Sequence, residues 1–340
     1  MHVARTLPSS KLATILRKCA AKVIYCTTPS LVVLTLLGSH PAAAYLPVRN
    51  QSPLTLPAGI PAMSDAYRVP ANQQRYAVRT TASNNWYVKG TPGDDPYLDG
   101  ETLTTEARFE FGFDQWALIL DVPYLYHNGG FLDGFIEEYH SWFGLPNGSR
   151  DEFPKNRLDF RYNGRDSAEL NKDTNGFGDL RVSGAYTLAQ SATSAHLVTA
   201  QLKLNTGNSN DWLGSGGLSF GGYLTHHWNY WRMSTDLQYG LLWQQRSNLL
   251  PNQTQQLIGF LSLAFDFRLW GQWYAVAQYD GNTPTWTHSK QPPLRDAHMG
   301  TLGVRWQNKT WRVHGAVLED LKVGSAPDVG FQLGFTYAPQ

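Results

Sequence analysis

The chain has 340 residues, with 28 Lys and Arg against 27 Asp and Glu. That balance argues against a nucleic-acid-binding protein, which would carry a basic surplus. Its two cysteines, Cys19 and Cys26, both lie near the start, so the rest of the chain has neither a disulfide framework nor thiol chemistry.

The opening segment differs in kind from the remainder of the chain. Arg5, Lys11, Arg17, Lys18 and Lys22 precede an apolar stretch from Val23 to Leu37, and no acidic residue occurs before Tyr45. Gly38, Ser39, Pro41 and the run Ala42-Ala43-Ala44 come next. A basic region, an apolar region and a small-residue site in that order read as a secretory signal peptide over 1–44, cleaved near Ala44. Removing its five basic residues leaves 23 basic against 27 acidic. Residues 45–75 carry no clear periodicity and read as an N-terminal periplasmic segment. No later stretch is apolar enough for a spanning helix, so any membrane crossing must use strands.

From residue 76 onward the chain alternates apolar and polar residues. Leu103, Thr105, Ala107, Phe109, Phe111 and Phe113 share one face, with Thr104, Glu106, Arg108, Glu110 and Gly112 on the other. Such alternation gives a strand one apolar and one polar face. Twelve strands are expected, at 76–88, 102–113, 115–126, 178–189, 195–206, 216–226, 231–243, 256–268, 272–281, 297–307, 310–319 and 328–338. A further extended piece at 157–162 suits a hairpin within a loop.

The connections alternate between short and long, as in outer-membrane barrels. Trp116, Trp228, Trp231, Trp270, Trp273, Trp306 and Trp311 flank the short ones. Trp86, Tyr124, Tyr126, Tyr239, Trp243 and Tyr279 fall towards the other ends, which suits two interfacial girdles. The expected fold is therefore all-β: a closed antiparallel transmembrane β-barrel of about twelve strands, spanning 76–340, in a bacterial outer membrane.

The longest connection, 127–177, carries one helical pattern. Phe131, Leu132, Phe135, Ile136, Tyr139, Trp142 and Phe143 recur at helical spacing over 131–143, with Asp133, Glu137, Glu138 and His140 between them. Three placements fit this helix: flat on the membrane surface, folded inward as a lid, or packed on its own loop as a cap. The inward and capping placements are favoured.

The polar strand faces should line the lumen with Glu106, Arg108, Glu110, Arg181, Lys203, Arg232, Asp236, Asp266, Arg268, Asp280, Arg305 and Arg312. This mixed-sign set fits either a channel lining or a packed salt-bridge plug. Asp173–Asp179 and Gly93–Pro96 have calcium-loop residue types, but such runs are more commonly turns. No zinc, Walker or dinucleotide pattern occurs, and no cofactor is expected. Ser141 beside His140 is a poor catalytic pair, because adjacent helical residues point apart.

The run from His127 through Gly129-Gly130-Phe131-Leu132-Asp133 to His140, followed by Phe143-Gly144-Leu145-Pro146, is distinctive. So are Pro47-Val48-Arg49-Asn50-Gln51-Ser52-Pro53, Gly176-Phe177-Gly178-Asp179, Asp280-Gly281 and Ala326-Pro327-Asp328. Over nearly all of 46–340 the chain resembles a family of proteobacterial envelope proteins catalogued as domain of unknown function 3187. That resemblance implies a β-barrel envelope protein and transfers no catalytic residue. The expected function is a passive channel for small or amphipathic solutes, with the helix regulating access. The alternatives are a plugged barrel acting through its outer loops and an outer-membrane lipid-modifying enzyme. Expected partners are outer-membrane lipid, the barrel assembly machinery and an unidentified solute, with no nucleic acid.

Overall fold

Backbone groups in lipid need internal partners, and twelve antiparallel strands supply them here by closing on themselves. The computed structural model describes residues 44–143 and 152–339. The signal-peptide reading of 1–44 therefore falls almost wholly outside the described residues. The strands are β1 (Gln74–Tyr87), β2 (Asp95–Gly112), β3 (Trp116–Asn128), β4 (Asp159–Asn163), β5 (Ser167–Leu170), β6 (Thr174–Phe177), β7 (Arg181–Gln190) and β8 (Ser194–Lys203). They continue with β9 (Ser219–Tyr230), β10 (Met233–Gln244), β11 (Leu257–Trp270), β12 (Trp273–Asn282), β13 (Ala297–Gln307), β14 (Trp311–Asp320) and β15 (Val329–Tyr337). The wall runs β1-β2-β3-β7 and then in chain order to β15, which pairs back onto β1. The seam closes from Tyr76 opposite Tyr337 to Asn84 opposite Val329.

The expected spans match the wall strands closely, with one interruption. The strand expected at 178–189 is β7, which begins only at Arg181; the short β6 precedes it on β3, with a break at 178–180. The Asp179 carboxylate explains the break. It accepts from Lys203 Nζ at 2.5 Å, Ser215 N at 2.9 Å and Gly207 N at 2.9 Å. Those bonds draw this stretch of chain towards the β8–β9 loop and out of the ladder. The extended piece near 157–162 is the hairpin of β4 and β5, with β4 paired to the upper end of β2.

Outward positions carry an apolar belt that includes Val78, Leu118, Leu241, Phe265, Leu302, Leu333 and Phe335. Trp116, Trp231, Trp270, Trp273 and Trp311 are exposed at the short-turn end. These outward side chains suit a lipid surround, with aromatics at its boundary.

Helix α1 (Leu132–Phe143) is not a lid over the lumen; its own loop holds its polar side, with Asn156 N donating to Asp133 Oδ2 at 2.8 Å and Lys155 paired to Glu137. Its apolar stripe packs against the outside of the wall at the β15–β1 seam. Leu132 and Ile136 are buried against Ala82, Val329 and Phe331, and Phe135 meets Phe331 edge to face at 5.6 Å. Glu101 Oε1 accepts from Phe131 N at 2.9 Å, and Asn84 Nδ2 donates to Asp133 at 3.0 Å. An apolar helical stripe finds a matching surface on the apolar exterior, not in a charged lumen. Phe131 and Trp142 remain 73% and 70% exposed, an arrangement suited to the lipid boundary and poorly suited to water. The side chains of Tyr139, His140, Ser141 and Phe143 lie outside the described residues. Deleting 131–143 is accordingly expected to leave the conductance of the inserted barrel unchanged, as read in planar bilayers. Larger current steps would return the helix to a gating role.

Candidate functional site: the lumen and its N-terminal plug

The segment expected to precede the barrel in the periplasm instead threads through the lumen. Residues 44–72 form no strand, and most of their side chains are buried. The reason is in the sequence. Pro47, Pro53, Pro57, Pro61 and Pro70 lack backbone N–H groups, so the segment is a poor ladder partner for any wall strand. It is held by side chains and by isolated backbone N–H and carbonyl groups.

The first limb starts near the short-turn end, where Arg312 Nη1 donates to Tyr45 Oη at 3.3 Å. Leu46 N donates to Gln278 Oε1 of β12 at 2.8 Å, and Arg49 Nη2 meets Glu106 of β2 at 3.0 Å. Asn50 Nδ2 reaches Ser325 O at 3.3 Å, at the long-loop end. The chain turns there through a 3-10 helix, Leu56–Ala58, closed by Gly59 at φ 78°. Gly59 has a second reason to lack a side chain, since a Cβ would lie 2.3 Å from Lys203 Cδ.

The second limb descends. Gln201 Nε2 donates to Gly59 O at 2.9 Å, Ser64 N donates to Gln238 Oε1 at 3.0 Å, and Tyr67 lies edge-on to His227 at 5.1 Å. Arg68 Nη1 donates to Phe113 O at 3.0 Å, beside the first short turn, and the chain enters β1. Each limb has about nine residues or more, enough at roughly 3.3 Å per extended residue to span a ~30 Å hydrocarbon core.

One charge network docks the plug to the wall. Glu106 receives Arg49 from the plug together with Arg79 and Arg181 from β1 and β7. Arg108 bonds Glu110 at 2.8 Å and Asp121 at 3.3 Å. Arg75 joins Glu110 at 2.5 Å to the plug's Asp65 at 3.0 Å, and Arg312 reaches the same Asp65 at 3.3 Å. Six arginines thus meet four carboxylates: Asp65, Glu106, Glu110 and Asp121. Around the barrel, β11 and β12 lie opposite β2 and β3. Asp236, Asp266 and Asp280 of β10, β11 and β12 are inward and buried there. Asp266 pairs with Arg305, Asp236 holds His227 at 2.6 Å, and Asp280 accepts from Ser262 at 2.5 Å. The lumen wall is therefore arginine-rich on one side and rich in aspartate on the other.

Ten of the twelve expected lumen residues occupy these inward positions: Glu106, Arg108, Glu110, Arg181, Lys203, Asp236, Asp266, Asp280, Arg305 and Arg312. Arg232 and Arg268 do not. They sit at the short-turn rim, where Arg232 Nη2 donates to Arg268 O at 2.8 Å and Arg268 Nε donates to Gly271 O at 2.8 Å. Period-two counting placed them inward, but turns and a register shift between Arg268 and Trp270 end the alternation there. Arg49 and Asp65 were missed, and the only local signal was their charge within a proline-rich segment.

The plug packs closely on the β11–β13 wall. A void between the limbs and the β11–β13 wall, lined by Arg49, Pro61, Phe260 and Asp280, measures about 20 Å³. That admits roughly one water molecule. Over the long-loop end, Leu98, Phe160, Tyr162, Trp212, Leu250 and Trp286 form an apolar cap with the plug's Leu54 among them. Trp286 Nε1 donates to Leu54 O at 3.0 Å.

The residue runs of calcium-loop type serve as staples. Asp94 accepts from Ser289 Oγ at 2.7 Å and Lys290 N at 2.9 Å, while Asp179 holds Lys203. Among the described residues no cluster of three metal-ligating side chains occurs.

A sequence-family comparison matches residues 23–338 to the family described as protein of unknown function (DUF3187). The chain belongs to that family. No curated protein matches. Among solved structures, the COG4313 outer membrane channel from Pseudomonas putida F1 is similar at 12% identity and a TM-score of 0.57, covering 82% of this chain and 99% of that one. The KdgM porin in complex with disordered oligogalacturonate aligns at 10% identity and a TM-score of 0.41, over 78% and 99%. The Pseudomonas putida toluene transporter TodX aligns at 8% identity and a TM-score of 0.40, over 87% and 95%. The first likeness shows that this DUF3187 member shares the fold of an outer-membrane barrel.

Proposed function

We propose that the protein is an outer-membrane channel held shut by its own N-terminal segment and opened when that segment is displaced. The observation that carries this reading is the plug of residues 45–72. From 45 to 71 it gives no backbone hydrogen bond to a wall strand's backbone, and only Asn72 N, donating to Gly112 O at 3.0 Å, joins the ladder, so the stretch above Asn72 can move while every wall strand keeps its partners. Once vacated, the lumen presents arginines on one side and aspartates on the other, a lining suited to small polar solutes. The COG4313 protein is itself described as an outer membrane channel, which agrees with this reading. A second reading, a permanently closed barrel acting through its outer loops, draws on the close packing of the plug and on the apolar cap. Deletion of residues 46–63 separates them. The channel reading expects discrete current steps from the deleted barrel in planar bilayers and few from the intact one. A deleted barrel that inserts, shown by heat-dependent gel migration, yet carries no current would establish the closed reading.

A further inference from the structure

On the outward face, β8 to β13 enclose an apolar groove of about 1140 Å³ towards the long-loop end. It exceeds the roughly 300–1,000 Å³ of ordinary small-molecule pockets. Glycine makes it. Gly222 stands opposite Leu241, which in turn stands opposite Gly259, and Gly281 follows opposite Leu261. These glycines sit at outward positions where neighbouring strands carry Phe220, Trp243 and Leu257, so the floor drops between bulky walls. A Cβ at Gly222 would lie 4.0 Å from Thr199 O, and one at Gly259 would lie 3.5 Å from Thr283 Cγ2. Neither position requires glycine for backbone reasons, and a Cβ at either would meet only ordinary van der Waals contact.

The rim of the groove is charged. Asp296 accepts from Lys322 Nζ at 2.8 Å and from His298 Nε2 at 2.9 Å, with Arg295 Nε at 3.9 Å. Tyr279 Oη lies 2.6 Å from His298 Nδ1. Lys322 and His298 hold the Asp296 carboxyl well below the usual carboxylate range. One carboxylate thus faces two permanent cations and an imidazole, and the Lys322 and Arg295 side chains remain 44% and 48% exposed.

We propose that the groove is a binding site for a phosphate-bearing membrane lipid, with an acyl chain along the glycine floor and the phosphate at Lys322, Arg295 and His298. The inference rests on the membrane reading of the barrel. An apolar trough at membrane depth that ends in a surplus of cations at the boundary matches the two parts of such a lipid. A protein partner is a poorer fit, because the wall ladder offers no free strand edge here.

The test uses the full barrel in detergent, with dioleoyl phosphatidylglycerol, dioleoylglycerol and inorganic phosphate as probes and native mass spectrometry as readout. Retention of phosphatidylglycerol by the wild type is expected. Phosphate alone should not be held, since it lacks the chain that fills the floor. Gly222→Leu with Gly259→Leu should abolish lipid retention. Lys322→Glu with Arg295→Glu should weaken phosphatidylglycerol about tenfold or more and leave dioleoylglycerol unchanged. The rim residues are exposed loop positions, so the charge variants stay informative if the glycine variants fail to fold. Heat-dependent gel migration reports folding independently, so a folded barrel that binds no lipid overturns the site and not the membrane reading. Equal retention of both lipids by wild type and charge variants, or full retention by folded glycine variants, overturns the proposal. So does binding of phosphate alone at the same strength as phosphatidylglycerol.

Discussion

Glu106→Ala is expected to turn a shut barrel into one that opens. Three guanidinium groups, from Arg49, Arg79 and Arg181, converge on this carboxylate, which is 2% exposed. Arg79 and Arg181 are fixed to the wall, whereas Arg49 belongs to the plug. Removing the shared anion leaves like charges buried together, and breaking a buried pair from one side costs about 3–5 kcal/mol. Much of that cost is relieved if Arg49 withdraws, so it falls chiefly on the docked state of the plug. At about 1.4 kcal/mol per tenfold, the open population should rise on the order of a hundredfold or more. Single-channel recording reads the change as open events that wild type rarely shows. Glu106→Gln should open the barrel less, because the amide keeps an acceptor oxygen for one arginine. The companion variant Arg49→Met removes the plug's own charge and is expected to relieve part of the Glu106→Ala defect. An inserted Glu106→Ala barrel as silent as wild type would show that other contacts hold the plug without this network.

The strands of this protein were legible because a membrane barrel obeys one rule along its length. Side chains alternate between lipid and lumen, so Phe109 and Arg108 announce opposite faces without any tertiary information. The same rule points Glu106, Arg181, Asp266 and Arg305 inward, where they are buried, and loses its hold at Arg232 and Arg268, where turn geometry replaces the pleat. The plug obeys no such rule. Tyr45 to Asn72 has neither period two nor the helical period, and its prolines are what a linker would also carry. What identifies it is pairing across more than 200 residues, as between Leu46 and Gln278, which local pattern does not encode.

Helix α1 is a third case. Its apolar stripe was visible, but a stripe does not say which surface receives it. In a soluble protein the receiving surface is the core. In a membrane barrel the apolar surface is the exterior and the interior is polar, which inverts the usual inference. Ala82 and Phe331 could have revealed this, since both lie at lipid-facing positions of the seam strands.

A cysteine pair at Ser64 and Gln238 should close the channel covalently. Ser64 Oγ lies 3.1 Å from Gln238 Oε1, joining the descending limb of the plug to the middle of β10. The native cysteines, Cys19 and Cys26, both precede the plug, so the remainder offers a clean background. In the Glu106→Ala barrel, where open events are expected, a short bifunctional maleimide across Ser64→Cys and Gln238→Cys should return the current to the closed level. A reducible linker of similar reach should do the same until reductant is added, after which steps should reappear. Each single-cysteine variant treated identically should conduct throughout. The pair distinguishes two routes to current. If solute passes where the plug once lay, tethering the plug blocks it. If Glu106→Ala instead loosens the wall near β2, tethering a limb to β10 leaves the current intact. Four wall strands lie between β2 and β10 one way round the barrel and six the other, so a tether on β10 acts on the plug itself and not on the wall around Glu106.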